Sequence, residues 1–324
     1  MSVNDFAGEH ALVTGGAGFL GAHLVRELLA RGSKVTVWDN LHTGREKNLA
    51  AIRTKISFSE KDIRTVEAKS VAEKFSVIFN LACPASPPHY QKDPVYTWET
   101  SVLGIRNMLQ LAELQGARLL HASTSEIYGD PHVHPQGESY WGNVNTVGVR
   151  SCYDEGKRAA ETLCADYTRF KGVDARLFRI FNTYGEFMHP DDGRVISNFC
   201  VAAAKGTPVP IYGDGSQTRS FCYASDLIAG ILALARLPRE RYDGPINLGN
   251  PGEFTIRELV TVLERITGKK LSTQNHPLPL DDPKMRRPII ERAERILGWQ
   301  PKVQLEEGLR RTYDYFAAEI GSLA

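Results

Sequence analysis

Over the first 181 residues, short apolar runs alternate with stretches whose apolar positions recur every three or four residues. The runs at 10–14, 34–38, 56–60, 77–81, 117–122 and 175–181 are of strand length, and most are predominantly apolar. That is the pattern of strands covered on both faces. The stretches 19–31, 96–115 and 153–171 carry the helical period, the first ended by Gly32. Strand–helix alternation of this kind predicts an α/β fold, a doubly wound, Rossmann-like parallel sheet with right-handed crossovers.

After Asn182 the texture changes. Glycine, proline and polar residues crowd 184–194, 206–210 and 213–220. Helical patterns return at 195–205, 225–237, 255–267 and 305–319, with one more strand at 245–248 and a proline-punctuated polar loop at 277–288. This predicts a dinucleotide-binding domain over 1–181 plus about 223–250. A smaller C-terminal substrate-binding lobe would take 182–222 plus 251–324. There are no internal repeats or low-complexity tracts.

Composition narrows the class of protein. A hydrophobic content of 42% and a net charge of +1 suit a globular protein and give no reason to expect nucleic acid or a membrane as partner. No apolar run reaches bilayer-spanning length. Residues 1–10 carry no apolar signal region, and the five scattered cysteines form no C-x-x-C pair. Both features suggest a cytoplasmic protein with reduced thiols. No His/Cys/carboxylate cluster has ligand spacing, so no metal is expected, and the nine histidines, His132 and His134 among them, read as loop residues.

Chemistry enters through four segments in fixed order. Gly15-x-x-Gly18-x-x-Gly21 follows the first strand and opens a helix. Gly15 permits a tight turn, Gly18 admits a pyrophosphate to the backbone, and Gly21 lets helix and strand approach. Any strand–turn–helix uses glycine, so the motif alone is weak. Asp39 strengthens it, since it ends the second strand 18 residues after Gly21, where a carboxylate grips a ribose 2′-hydroxyl. This favours NAD over NADP, with Arg45 keeping the NADP reading open. Asp62 and Ile63 are placed to cover an adenine, though alone they are no better than a loop.

The other two segments are Ser123-Thr124-Ser125-Glu126 and Tyr153-x-x-x-Lys157. Tyr153 and Lys157 lie four apart on one helix face. The lysine ammonium would favour the phenolate and make Tyr153 a base, and it could also hold the nicotinamide ribose. Thr124 sits at the carboxyl end of the fifth strand, where its hydroxyl can share the proton. Glu126 reads as an acid–base group beside a sugar-like alcohol.

At these residues the chain resembles the extended short-chain dehydrogenase/reductase superfamily. Within it, the chain resembles the UDP-glucuronate decarboxylase (UDP-xylose synthase) family over nearly its whole length. The strings Pro84-Ala85-Ser86-Pro87-Pro88 and Tyr153-Asp154-Glu155-Gly156-Lys157-Arg158 belong to that family rather than to the superfamily at large. Related segments are Tyr140-Trp141-Gly142, Asp192-Gly193-Arg194, Gln217-Thr218-Arg219 and Asp281-Asp282-Pro283-Lys284. Ser125 stands where 4,6-dehydratases carry an aspartic acid, and 4-epimerases generally lack the glutamate at 126.

The resemblance implies NAD held by Gly15, Gly18, Phe19, Leu20, Gly21, Asp39, Asn40, Thr43, Gly44, Asp62, Ile63, Leu81, Ala82, Thr100, Tyr153, Lys157, Thr183 and Arg194. It implies catalysis by Thr124, Ser125, Glu126, Tyr153, Lys157 and Arg286, and substrate contacts from Ser86, Tyr90, Asn182, Asn198, Tyr212, Arg219 and Arg286. The implied substrate is UDP-glucuronate, oxidised at C4, decarboxylated and reduced again to UDP-xylose with NAD recycled. The implied assembly is a homodimer through the 96–115 and 153–171 helices. Glu99, Glu186-Phe187 and Pro288-Ile289-Ile290 depart from the family's usual residues and are expected at the substrate rim. They leave two alternatives open, a 4-epimerase of the same sugar acid and a decarboxylase of another nucleotide-linked uronic acid. A catalytically silent NAD-binding protein would have no need of the Thr124/Tyr153/Lys157 set.

Overall fold

The computed structural model describes residues 4–277 and 285–321. Six strands precede the change of texture: β1 (His10–Thr14), β2 (Lys34–Asp39), β3 (Ser57–Glu60), β4 (Val77–Asn80), β5 (Arg118–Thr124) and β6 (Ala175–Ile180). Seven more follow, none longer than four residues: β7 (Thr183–Tyr184), β8 (Val209–Tyr212), β9 (Thr218–Ser220), β10 (Cys222–Tyr223), β11 (Ile246–Leu248), β12 (Glu253–Thr255) and β13 (Thr273–His276). The main sheet runs β11-β6-β5-β4-β1-β2-β3, every neighbour parallel. The chain reverses direction across the sheet between β1 and β4, which opens a crevice at their carboxyl ends.

The apolar runs are explained by cover on both faces. Helices Phe19–Ala30 and Ala224–Arg236 bury Leu24, Val25, Leu28, Leu227 and Ile231 on one side. Helices Ile105–Gln115 and Ser151–Lys171 bury Met108, Leu109, Ala160 and Cys164 on the other. The expected 96–115 helix starts at Pro94, where the Asp93 carboxylate accepts from the Tyr96 N–H at 2.9 Å. It widens at Thr100–Gly104 before continuing.

A second core holds helices Val195–Lys205, Ile256–Thr267 and Leu305–Gly321. Thr255 and Glu258 form a capping box at the start of the second. Parallel pair β8–β13 and antiparallel pair β9–β12 edge this lobe. The two-residue pairing β7–β10 is too short to leave a period in the sequence. Residues 290–299, expected in the lobe, lie elsewhere. Ile290, Ala293, Ile296 and Trp299 pack into the core of the main sheet, and the Trp299 indole N–H donates to the Asp226 carbonyl at 2.8 Å. Part of the loop expected at 277–288, including Asp281-Asp282-Pro283-Lys284, falls outside the described residues. Among the described residues no helix is long and apolar enough to cross a membrane.

Candidate active site

A cleft of about 760 Å³ opens at the carboxyl ends of the strands. All the residues expected to hold cofactor, hold substrate or carry chemistry line it, from Gly15 at one end to Arg286 at the other.

At the cofactor end, Gly15 has φ +69°, and a Cβ there would sit 2.8 Å from the Ala82 backbone nitrogen. A Cβ on Gly21 would lie 2.1 Å from the Gly15 carbonyl oxygen. No other side chain fits this turn. Gly18 caps the Phe19–Ala30 helix without a side-chain acceptor, so the first-turn N–H groups are left for an anion. The Asp39 carboxylate accepts from Ala17 N at 2.9 Å and Leu41 N at 2.8 Å, bracing the glycine turn. Burial pushes its carboxyl up, while these N–H groups hold it down. Glycine cradle, uncapped helix and a cleft-lining carboxylate at the end of β2 together fit a dinucleotide.

Arg45, which kept NADP in view, is committed elsewhere. Its guanidinium pairs with Glu319 at 2.8 Å and donates to the Met188 carbonyl at 2.9 Å and the Tyr315 hydroxyl at 3.2 Å. Asp62 is held by Arg64 at 2.8 Å and by Asn40, whose amide also donates to the Tyr96 hydroxyl at 2.6 Å.

The three departures do not share one rim. Glu99 pairs with Arg64 at 2.8 Å, on the Asp62 side of the cleft. Phe187 lines the cleft but takes φ +67° and packs beneath the Arg26 guanidinium, 4.2 Å from its ring centroid, against the pyrophosphate helix. Glu186 accepts from the Tyr223 hydroxyl at 2.6 Å. Ile289 donates its N–H to the Gln136 carbonyl at 2.8 Å, away from the cleft.

At the catalytic end, Tyr153 and Lys157 project from the first two turns of Ser151–Lys171 toward the end of β5. Lys157 is buried and donates to the Ala122 carbonyl at 2.9 Å, with its ammonium 5.7 Å from the Tyr153 ring centroid. Burial pushes the Tyr153 phenol well above its ordinary value, and a hydrogen bond with Thr124 acts the other way. Tyr90 stacks on Tyr153 with centroids 5.0 Å apart and planes 4° from parallel. The Thr124 hydroxyl accepts from the Glu126 N–H at 3.1 Å and so caps the turn that presents Ser125 and Glu126.

Glu126 is clamped between two guanidiniums, with Arg150 at 2.7 Å and Arg286 at 3.0 Å. Arg286 also donates to the Ser125 hydroxyl at 2.9 Å and the Gly129 carbonyl at 3.0 Å. Burial by itself would raise the Glu126 pKa. The two arginines outweigh it and hold the carboxyl at about 2. The expected acid–base role is therefore narrowed: at neutral pH this group is a carboxylate with no proton to give.

Several participants escaped the sequence reading. Arg150 stands three residues before the Tyr153–Arg158 string, and that proximity is its only signal in the sequence. His121 is no loop residue, for it is buried in β5, and burial and Lys157 push its pKa well below the ordinary value. Its Nδ1 lies 3.0 Å from the Asn80 amide, which in turn accepts from the Thr14 hydroxyl at 2.6 Å. His10 in β1 and His23 in the first helix are likewise outside loops.

On the substrate side, the Ser86 hydroxyl meets His89 Nδ1 at 3.0 Å, and the Asn198 amide donates to the Gly193 carbonyl at 3.0 Å. Tyr212 is 40% exposed, with the His276 ring 5.5 Å away, centroid to centroid. Asn182 lines the cleft, and Arg219 does so while donating to the Thr218 carbonyl. Arg194 pairs with Asp192 and lies over the Phe19 ring, 5.9 Å from its centroid, which sets it on the cofactor side. Thr183 donates to the Phe181 carbonyl at 2.8 Å. Among the described residues no group of three or more His, Cys, Asp or Glu is placed to hold a metal ion.

A parallel sheet with a glycine cradle at its switch point, and a tyrosine–lysine pair facing the end of β5, defines a dinucleotide-dependent enzyme of the short-chain dehydrogenase type. Residues 11–249 match the family described as NAD dependent epimerase/dehydratase, and the chain belongs to that family. It is 50% identical over 309 residues to a UDP-glucuronic acid decarboxylase 1 of Arabidopsis thaliana, covering 95% of this chain and 70% of that one. The counterpart of the same name in Danio rerio is 48% identical, with 95% and 73% covered. Among solved structures, a UDP-glucuronic acid 4-epimerase from Bacillus cereus, in complex with UDP-glucuronic acid and NAD, superposes with TM-score 0.87 at 26% identity. It spans 96% of this chain and 99% of that one.

Proposed function

We propose that this chain is an NAD-dependent UDP-glucuronate decarboxylase that forms UDP-xylose. The observation that carries the reading is the convergence of Arg286 and Arg150 on Glu126, beside Ser125 and the Tyr153 phenol. Such a cationic cluster suits a sugar acid, and it sits in a chain about half identical to proteins of that name.

NAD, when bound along the glycine cradle, supplies the acceptor for the C4 hydride and returns it at the end of the cycle. Tyr153 takes the proton of the C4 hydroxyl, and Thr124 shares it. The resulting 4-ketone lies β to the C5 carboxylate, so CO₂ leaves and its bonding electrons pass into an enolate. C5 then takes a proton from water, C4 regains its hydride, and Tyr153 gives its proton back to the C4 oxygen. Arg286 and Arg150 neutralise the uronate carboxylate as it binds, and Glu126 fixes their geometry. Lys157 supplies the fixed positive charge that opposes the desolvation of a Tyr153 phenolate.

Arg219, Asn182, Asn198 and Tyr212 suit a diphosphate and a uracil ring. A homodimer through the helices spanning 94–115 and 151–171 is supported by their exposed Val95, Trp98, Leu114 and Phe170. The five unpaired cysteines suit a reducing compartment such as the cytoplasm.

Purified protein mixed with UDP-glucuronate, without added NAD, is the direct test. NMR signals of UDP-xylose with release of CO₂ support the reading. UDP-galacturonate without CO₂ would replace it with 4-epimerisation, and no turnover even with NAD would point to another nucleotide-linked acid.

A further inference from the structure

Asn247 lies in the middle of β11, the edge strand of the main sheet, and is fully buried outside the cleft. Its side-chain amide is spent on two segments far apart in sequence. One is the turn Ser125–Tyr128, which presents Ser125 and Glu126: the Tyr128 hydroxyl donates to Asn247 Oδ1 at 2.8 Å. The other is segment 285–289, which carries Arg286. Asn247 Nδ2 donates to the Ile289 carbonyl at 3.2 Å and to the Gln136 carbonyl at 3.1 Å. Gln136, also buried, grips the same segment. Its N–H donates to the Arg287 carbonyl at 2.9 Å, its side-chain oxygen accepts from the Arg287 N–H at 2.9 Å, and its carbonyl accepts from the Ile289 N–H at 2.8 Å. Pro288 seats on Gly249, just past β11, where a Cβ would lie 3.1 Å from the proline Cγ.

We infer that Asn247 is a positioning residue for acid-sugar recognition: it sets the Arg286 segment against the Glu126 turn, so that the guanidinium stands where a sugar carboxylate can meet it. Arg286 reaches Glu126 at 3.0 Å and the Ser125 hydroxyl at 2.9 Å from the end of a long stem. Such a stem has rotamer freedom to spare, so its head rests in one place only if its backbone is fixed. On the lobe side that backbone is held by the Ser220 hydroxyl, which donates to the Arg286 carbonyl at 3.2 Å, and by the Arg287–Glu253 pair at 3.3 Å. These contacts place the segment relative to the lobe. The Asn247 amide places it relative to the turn that carries Glu126. The inference rests on the UDP-glucuronate reading, in which Arg286 meets the uronate carboxylate.

The test compares UDP-glucuronate with UDP-glucose, which has a hydroxymethyl group in place of the carboxylate. Both are titrated by calorimetry into NAD-loaded protein carrying Tyr153→Phe to block turnover. Uracil and diphosphate effects cancel in the ratio of the two dissociation constants. Adding Asn247→Ala should lower the preference for the acid about tenfold, the worth of one hydrogen bond to a charged group, with UDP-glucose affinity kept within about twofold. Tyr128→Phe cuts the link to the turn alone and keeps the buried ring, and Arg179, which donates to that hydroxyl at 2.9 Å, keeps its pair with Glu161. It should lower the preference by about threefold. A merely structural role would weaken both ligands together, and that outcome overturns the inference. An unchanged preference in Tyr128→Phe also overturns it, and this arm decides the matter if the Asn247 variant does not fold. No preference for the acid in the Tyr153→Phe protein itself removes the substrate reading and this inference with it.

Discussion

Replacing Glu126 by glutamine asks whether this group is a clamped anion or a working acid. The substitution keeps shape but sets an uncharged amide between the guanidiniums of Arg150 and Arg286, at 2.7 and 3.0 Å. The carboxyl is depressed from 4.5 to about 2, against the effect of burial, by Arg286 and then Arg150. At roughly 1.4 kcal/mol per pH unit, that preference for the ionised form amounts to about 3 kcal/mol. It agrees with the ~3–5 kcal/mol expected when one partner of a buried ion pair is removed. Because the folded pKa lies below the unfolded one, the stabilisation is fully present above pH ~4.5 and disappears only as pH falls through about 2. Urea unfolding of the wild-type and Glu126→Gln proteins should therefore differ by about 3 kcal/mol at pH ~5.5, above the ordinary glutamate range and well below the titration of the neighbouring Asp154 carboxyl. A difference under about 1 kcal/mol would refute the clamp. It would instead make Glu126 a group that titrates near neutrality and could donate a proton.

Tyr153→Phe should lower kcat by about 10²–10⁴-fold with little change in UDP-glucuronate affinity, since it removes the proton acceptor and not the cationic cluster; steady-state rates and calorimetry check both halves. Asp39→Asn should weaken NAD binding roughly tenfold to a hundredfold through lost charge-assisted hydrogen bonds, read by titrating cofactor into stripped protein. If Arg45 were free to serve a 2′-phosphate, the same variant would gain NADP affinity, and with Arg45 held by Glu319 and Met188 no such gain is expected. Glu99→Lys should leave the KM for UDP-glucuronate within about twofold, because a half-exposed pair with Arg64 on the cofactor side contributes at most about 1 kcal/mol; a large rise in KM would return Glu99 to the substrate rim.

The main sheet and cofactor end were legible in the sequence because their causes are local. A parallel strand covered on both faces must be apolar along its length, so β1, β2, β4, β5 and β6 announce themselves. Gly21 is required by a contact within the glycine turn and Gly15 by the turn's own positive φ, and Tyr153 and Lys157 share a helix face by their spacing alone. The two-residue strands β7 and β10 had no such signature, and neither did the return of residues 290–299 to the main core, which depends on where Trp299 finds a cavity rather than on any period.

Charge state is another matter, because it belongs to neighbours brought together by folding. Arg286 reaches Glu126 from 160 residues away along the chain, so no window of sequence could have shown that glutamate to be an anion held at about 2. The same holds for Arg45, drawn off by Glu319, for Glu99, which joins Arg64, and for Asp154, whose burial beside Glu126 pushes its carboxyl up to about 8. The sequence by itself determined which groups are present, and which of them share a turn or a helix face. Only the tertiary structure decided which of them carry charge, since that depends on burial and on partners that local spacing does not encode.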